Sequence, residues 1–271
     1  AIACNMPVEH VISAPDIDSV YDVPLNFERD NLGEIILSAL HLKPKNNALA
    51  NRGLADWKKF AETVKRLRSP ESSGKSHEVH IAIVGKYFNT GDFVLTDAYV
   101  SVLEAIKYSA YALGKRPVIH TVNAQDFEAP TKPNYKALDK YDGILVPGGF
   151  GESGIEGKLN VIRYAREKGI PYFGLCYGMQ LMVIEYARNV LGFTQATTSE
   201  IDPQAEHRVI DIMLDQKKKL AEGNYGASMR LGSYVAKIKK DTIAHTAYGA
   251  LSVTERHRHR YEVNPEYIAQ I

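Results

Sequence analysis

A chain of 271 residues that is 45% apolar can build one large or two small domains with a full core. A net charge of +1 excludes a general electrostatic attraction to nucleic acid or to an anionic membrane. The only cysteines, Cys4 and Cys176, exclude a disulfide framework and fit a reducing, cytoplasmic setting, and no apolar run approaches the roughly 18 residues of a membrane span.

In chain order, Ala1-Ile-Ala-Cys4 reads as a strand, so the chain is expected to be a piece of something longer. The segment Asn31–Leu42 places Leu32, Ile35, Ile36, Ala39 and Leu40 at helical spacing. About forty residues cannot bury a core of their own, so residues 1–42 are expected to belong to a domain whose remainder lies outside the chain. Residues 43–78 read as a linker with breaker-rich ends. Within it, Asp56 caps a predicted helix carrying Trp57, Phe60, Val64 and Leu67 on one face.

From His80 onward strands and helices alternate. Predicted strands are Ile81–Val84, Val118–Val122, Tyr141–Val146 and a buried one at Tyr172–Leu175. Predicted helices are Asp97–Leu113, Ile155–Lys168 with Gly169 as terminator, and Met179–Val190. This alternation predicts an α/β fold with a doubly wound, mostly parallel sheet flanked by helices, its chemistry at the carboxyl ends of the strands. The glycine-rich turns at 148–151 and 174–178 then share one rim. Beyond Asn189 the pattern weakens to strands near Val209–Met213 and Ser233–Ile238, with a lysine-rich turn at 217–219.

Gly174-Leu-Cys176-Tyr-Gly178, between a strand and a helix, has the form of a nucleophile elbow with cysteine in place of serine. A helix N-terminus beside Cys176 is expected to favour thiolate. Thiolate attack on a carbonyl needs an oxyanion site, for which the Gly148 and Gly149 backbone and the Tyr177 N–H are candidates. None of the nine histidines stands in an obvious base-and-orienter context, and His257 and His259, alternating with arginines, are expected to have depressed pKa values. Arg256, Arg258 and Arg260 have period two, so a strand there would put all three on one face as a receptor for an anionic group.

These residues together resemble the CTP synthase family. The resemblance rests on Gly85-Lys-Tyr, Val146-Pro-Gly-Gly-Phe-Gly151, Gly174-Leu-Cys-Tyr-Gly-Met-Gln180, Thr198-Ser-Glu200, Ser228-Met-Arg-Leu-Gly232 and Glu255-Arg-His-Arg-His-Arg-Tyr-Glu-Val-Asn264. Residues 79–271 resemble its class I glutamine amidotransferase domain, and residues 1–42 resemble the C-terminal portion of its synthetase (amidoligase) domain through Asn5-x-Pro-Val-Glu-x-Val-Ile-Ser13 and Asp18-Ser-Val-Tyr21.

The resemblance implies ATP-dependent amination of UTP to CTP, with ammonia drawn from glutamine, in a cytoplasmic enzyme of pyrimidine biosynthesis. ATP and Mg²⁺ would act in the synthetase domain, GTP as allosteric activator, and a homotetramer would form through the synthetase domain. It assigns Cys176 as nucleophile, Gly149 and the Tyr177 N–H to the oxyanion, and Gln180 to glutamine positioning. Glu200 would meet the substrate α-ammonium and Arg260 its α-carboxylate. Asp16 and Ile17 would lie near the adenine of ATP, and Ser228 and Arg230 beside the GTP-responsive lid.

Two residues depart from the family pattern. Tyr177 replaces leucine, which would set a bulkier, polar neighbour beside the substrate, and Ser228 replaces threonine. The family's His-Pro-Glu does not occur in this sequence, and Asn264-Pro-Glu266 is no substitute, so the chain alone is expected neither to make CTP nor to turn over glutamine efficiently. The alternatives are a different class I amidotransferase and a non-catalytic module that binds glutamine or a nucleotide.

Overall fold

The computed structural model describes residues 2–43, 47–69, 77–85, 89–90, 93–94, 99–128, 133–149, 154–213 and 230–271. Two compact units emerge, one of Ala1–Val79 with Val100–Val118, the other of His80–Tyr99 with Ile119–Ile271.

In the first unit the expected strand at Ala1–Cys4 is instead a 3₁₀ turn, Ile2–Cys4. Local bonding takes over where, among the described residues, no neighbouring strand pairs with it. Helices α1 (Val23–Arg29), α2 (Leu32–Ala39) and α3 (Asn47–Arg68) follow. Helix α3 begins nine residues before Asp56, which therefore lies inside it rather than capping it. The apolar face is as expected: Val64 and Leu67 are buried, with Phe60 packed against them. Trp57 Nε1 donates to the Tyr21 carbonyl at 2.9 Å, and Arg68 donates to the Asp18 carbonyl at 2.6 Å. Helix α4 (Val100–Ala112) joins this unit through ring contacts, Tyr108 on Phe60 at 4.6 Å and Tyr111 edge-on to Tyr21 at 6.0 Å. The expected start of that helix at Asp97 lies outside the described residues.

The second unit is organised by strands β1 (Glu78–Gly85), β4 (Arg116–Asn123), β5 (Gly143–Val146) and β6 (Tyr172–Gly174) in the order β4-β1-β5-β6, with a two-residue pair β2 (Asn89–Thr90) and β3 (Phe93–Val94) beside the chain path. β5 runs parallel to both β1 and β6, and all four of its residues are buried, as a central strand covered on both faces requires. β6 was expected to be buried but lies at the sheet edge. Tyr172 turns inward, while Phe173 is 63% exposed.

Helix α5 (Ile155–Lys168) is bounded by Gly154 and Gly169, both left-handed, with Glu156 in its first turn and Arg166 and Lys168 in its last, as the helix dipole favours. Helix α6 (Tyr177–Asn189) packs beside it, and Leu159, Ile162, Leu181 and Ile184 share one core with Val84, Ile144 and Val146.

A smaller sheet, β11-β8-β7, combines β7 (Thr197–Thr198), β8 (Arg208–Ile212) and β11 (Tyr261–Val263). An antiparallel ribbon of β9 (Arg230–Lys237) and β10 (Ser252–His259) carries helix α7 (Ile243–Tyr248) between its strands. Arg256 and Arg258 share the outer face of β10, but Arg260 sits at the break between β10 and β11. The three arginines therefore do not form a single strand face. The lysine-rich turn at 217–219 lies outside the described residues.

Two ion pairs join α5 to α6, Arg188 with Glu156 at 3.0 Å near the surface and Arg166 with the buried Glu185. Arg166 forks onto Glu185, Nη2 to Oε1 at 2.8 Å and Nε to Oε2 at 3.0 Å, while the Glu185 side chain is 1% exposed. Removing one partner of a buried pair leaves the other charge stranded. Arg166→Ala is therefore expected to cost about 3 kcal/mol, read as a lowered urea midpoint, whereas Arg163→Ala, whose pair with Glu167 is solvent-exposed, changes the midpoint by less than about 0.5 kcal/mol.

Candidate active site

The site starts where β6 turns into α6. Cys176 occupies the N-cap of α6 with φ 49° and ψ −103°, a conformation a non-glycine residue adopts only where its surroundings impose it. Those surroundings are main chain. The Leu175 N–H donates to the Val146 carbonyl at 2.9 Å, the Gly178 N–H to the Leu175 carbonyl at 2.9 Å, and the Gln180 N–H to the Cys176 carbonyl at 3.1 Å. Tyr172 Oη donates to the Gly178 carbonyl at 2.8 Å, and burial raises this phenol far above its ordinary pKa, so it stays a donor. A Cβ on Gly178 would meet the Val146 carbonyl oxygen at 2.1 Å, and one on Gly174 would meet the Gly178 carbonyl carbon at 2.5 Å. Only glycine fits at either place.

The second glycine turn lies alongside. A Cβ on Gly148 would stand 3.5 Å from the Cβ of Cys176, so the two turns share one rim, as the strand–helix alternation predicts. Cys176 opens to solvent. The expectation of a favoured thiolate is not met. Partial burial pushes the thiol above its ordinary value, the Tyr177 N–H bonded to the sulfur pulls it down, and the charge of Glu200 raises it further. One amide at a helix end does not outweigh desolvation and a facing carboxylate.

Glu200 also faces Tyr261. The Tyr261 phenol is raised by burial first and then by Glu200, and Arg260 beside it lowers it through charge and a hydrogen bond. Asp211 is a further neighbour of that ring, and its Oδ1 accepts from Ser199 Oγ at 2.6 Å. Glu200 and Arg260, far apart in sequence, thus both act on Tyr261, and Glu200 acts on Cys176 as well. Gln180 is 5% exposed and its Nε2 donates to the Tyr261 carbonyl at 2.8 Å, which ties the nucleophile helix to the segment carrying Arg260.

Tyr177 turns its side chain inward. The ring is 3% exposed, with Lys158 Nζ 5.7 Å from its centre, so it is not the polar substrate neighbour that the sequence suggests. An elbow with positive φ at Cys176 aims the next side chain into the core, which residue spacing does not reveal.

Arg230, at the start of β9, is engaged within the ribbon and its neighbour. Its Nη1 lies 3.1 Å from Glu262 Oε2, and its guanidinium stacks 4.2 Å from the Tyr234 ring centre. Ser228 lies outside the described residues. His259 stands 3.8 Å from Glu262, and its pKa is lowered first by burial and then by His257, not by the arginines it alternates with. Asp16 and Ile17 line a hollow of about 920 Å³ within the first unit, with Ser19, Arg29, Lys65 and Arg68.

Sequence reasoning missed two residues of this site. Tyr261 was present only as the residue following Arg260. Lys158, 1% exposed in the first turn of α5, has only its place just after the glycine turn to draw notice.

A strained cysteine at a strand–helix turn, a second glycine turn beside it and a carboxylate whose charge acts on the sulfur make up the arrangement a cysteine amidotransferase would use. Residues 94–270 match the family Glutamine amidotransferase class-I, and the chain belongs to that family. CTP synthases are among its relatives. That of Archaeoglobus fulgidus is 44% identical over all 271 residues, and that of Methanothrix thermoacetophila is 44% identical over 98% of the chain. These matches cover 46% and 45% of the relatives, so the chain spans about half the length of the relatives it matches. Among solved structures, the glutaminase domain of Trypanosoma brucei CTPS with bound acivicin superposes with a TM-score of 0.63 at 41% identity, covering 70% of each chain.

Proposed function

We propose that this chain carries the glutamine-hydrolysing half of a CTP synthase. The observation that supports this best is Cys176 held at a strained elbow against the Gly148–Gly149 turn, facing Glu200. The Cys176 sulfur adds to the glutamine side-chain carbonyl, forming a C–S bond and moving an electron pair onto oxygen. The N–H groups of Tyr177 and Gly149 receive that oxyanion. Its collapse breaks the C–N bond, and nitrogen takes up a proton and leaves as ammonia. Water then cleaves the thioester to glutamate and restores the thiol. Glu200 takes the α-ammonium and Arg260 the α-carboxylate, with Gln180 fixing the Tyr261 segment between them.

In the complete protein, ammonia aminates UTP in a synthetase domain that uses ATP and Mg²⁺, with GTP as activator and a homotetramer assembled through that domain. Residues 1–42 continue that domain, 43–78 link it, and 79–271 form the amidotransferase domain. The hollow at Asp16 and Ile17 is assigned to the nucleobase end of ATP, with Ile17 as an apolar wall and Arg29, Lys65 and Arg68 as cations on its lining. Mg²⁺ is assigned to the synthetase domain on the likeness to CTP synthases; among the described residues there is no group of three His, Cys, Asp or Glu that could hold a metal ion. Among the described residues no helix is long and apolar enough to cross a membrane.

The decisive experiment gives the complete protein glutamine, UTP, ATP and Mg²⁺ and follows CTP and glutamate. Formation of both supports the reading, and glutamate without CTP leaves a different amidotransferase. Glu200→Ala and Arg260→Ala are each expected to raise the KM for glutamine about 30-fold or more, as loss of a charged contact of about 2 kcal/mol does. An unchanged KM in both variants removes them from the site.

A further inference from the structure

Lysine is almost never fully buried, yet Lys158 is 1% exposed. It is the fourth residue of α5, the helix that follows the glycine turn, and its backbone N–H donates to the Gly154 carbonyl at 3.1 Å. The side chain runs back beneath the site. Its Nζ would stand 4.0 Å from a Cβ on Gly149, and it lies 5.7 Å from the centre of the buried Tyr177 ring, within cation–π range. The ammonium thus sits on the buried side of both segments assigned to the oxyanion, the Gly148–Gly149 turn and the first residue of α6.

We propose that Lys158 is a positioning residue for the oxyanion, its buried ammonium setting the Gly148–Gly149 turn and the Tyr177 amide at the spacing that one developing negative charge requires. This rests on the glutaminase reading above. Oxyanion donors accelerate a reaction only when they are aimed before charge develops. The donors here belong to two separate segments, and one side chain lies beside the Gly149 backbone of the first and the Tyr177 ring of the second. If Lys158 only filled space, methionine, of similar length and fully apolar, would serve as well.

In the complete protein, Lys158→Met is expected to lower kcat for glutamine hydrolysis about tenfold or more, with the KM for glutamine and the rate of Cys176 alkylation by iodoacetamide staying within about twofold. Lys158→Arg keeps the charge and is expected to restore kcat to within about threefold. A methionine variant whose kcat stays within about twofold of the parent overturns the assignment. So does a parallel loss of kcat, alkylation rate and thermal midpoint that arginine does not rescue, because that pattern belongs to a packing role. Should the methionine variant fail to fold, Lys158→Gln carries the same expectations, and failure of both to fold also overturns it. A parent protein that releases no ammonia from glutamine sinks the proposed function and this assignment together, whereas an active parent with an equally active methionine variant sinks this assignment alone.

Discussion

Gly178→Ala is expected to destabilise the amidotransferase unit by about 3–5 kcal/mol or more and to abolish capture of glutamine analogues by Cys176. The added methyl would lie 2.1 Å from the Val146 carbonyl oxygen, a main-chain atom of the central strand. It has no flexible side chain to displace. Relief requires moving either β5 or the first turn of α6, and each move breaks the bonds that hold the strained cysteine. Against a total stability of about 5–15 kcal/mol, such a cost is a large fraction. Gly33→Ala is the control: the position lies in the first turn of α2 with nothing within 4 Å, where alanine is favoured by about 0.4–1 kcal/mol through its less flexible unfolded chain. Urea unfolding of the two variants should move in opposite directions. A Gly178→Ala protein as stable as its parent would mean that the elbow is looser than described.

The second large effect concerns Cys176 itself. An electrophilic glutamine analogue is expected to label this residue alone, glutamine to protect it, and Cys176→Ala to abolish labelling while leaving the fold intact. Cys4, also exposed, is the internal control, and labelling there instead would refute the assignment. The pH dependence follows from the direction of the thiol shift. Burial and Glu200 raise its pKa, so the reactive thiolate gains population only as pH rises past the ordinary cysteine range. Labelling should therefore keep climbing above about pH 8.5, where an unperturbed thiol begins to level off. Glu200→Gln removes one of the raising charges, and the climb should then move to lower pH. A profile that Glu200→Gln leaves in place would show that the carboxylate does not face the sulfur.

Much of this was legible because the periodicities were strong. The apolar run at the end of Tyr141–Val146 was legible as a strand, and Gly169 ended α5 where its left-handed φ of 68° requires a glycine. The elbow was legible for a related reason, since Gly174 and Gly178 have no room for a side chain. What escaped depended on partners distant in the chain. Phe173 is exposed because β6 ends the sheet, and strand order is not written in any one strand. The Arg256–Arg260 series looked continuous, but Gln180 holds the Tyr261 carbonyl and β11 pairs with β8, so the chain breaks at Arg260. The inward turn of Tyr177 follows from a backbone angle at its neighbour, and the burial of Lys158 from where α5 begins. The acidity of Cys176 was misjudged because burial of the sulfur raises it first, and the charge of Glu200, more than twenty residues away in sequence, raises it further.

The fork between Arg166 and Glu185 also gauges the mouth of the site from a distance. One helix of that pair starts a few residues after the Gly148–Gly149 turn and the other starts at the nucleophile, so the two act like the jaws of a caliper set at the handle. Nine residues of helix separate Cys176 from Glu185, about 13 Å along the axis. Because that carboxylate is almost wholly withdrawn from water, added salt should leave the setting of the jaws unchanged while loosening the pairs at the surface.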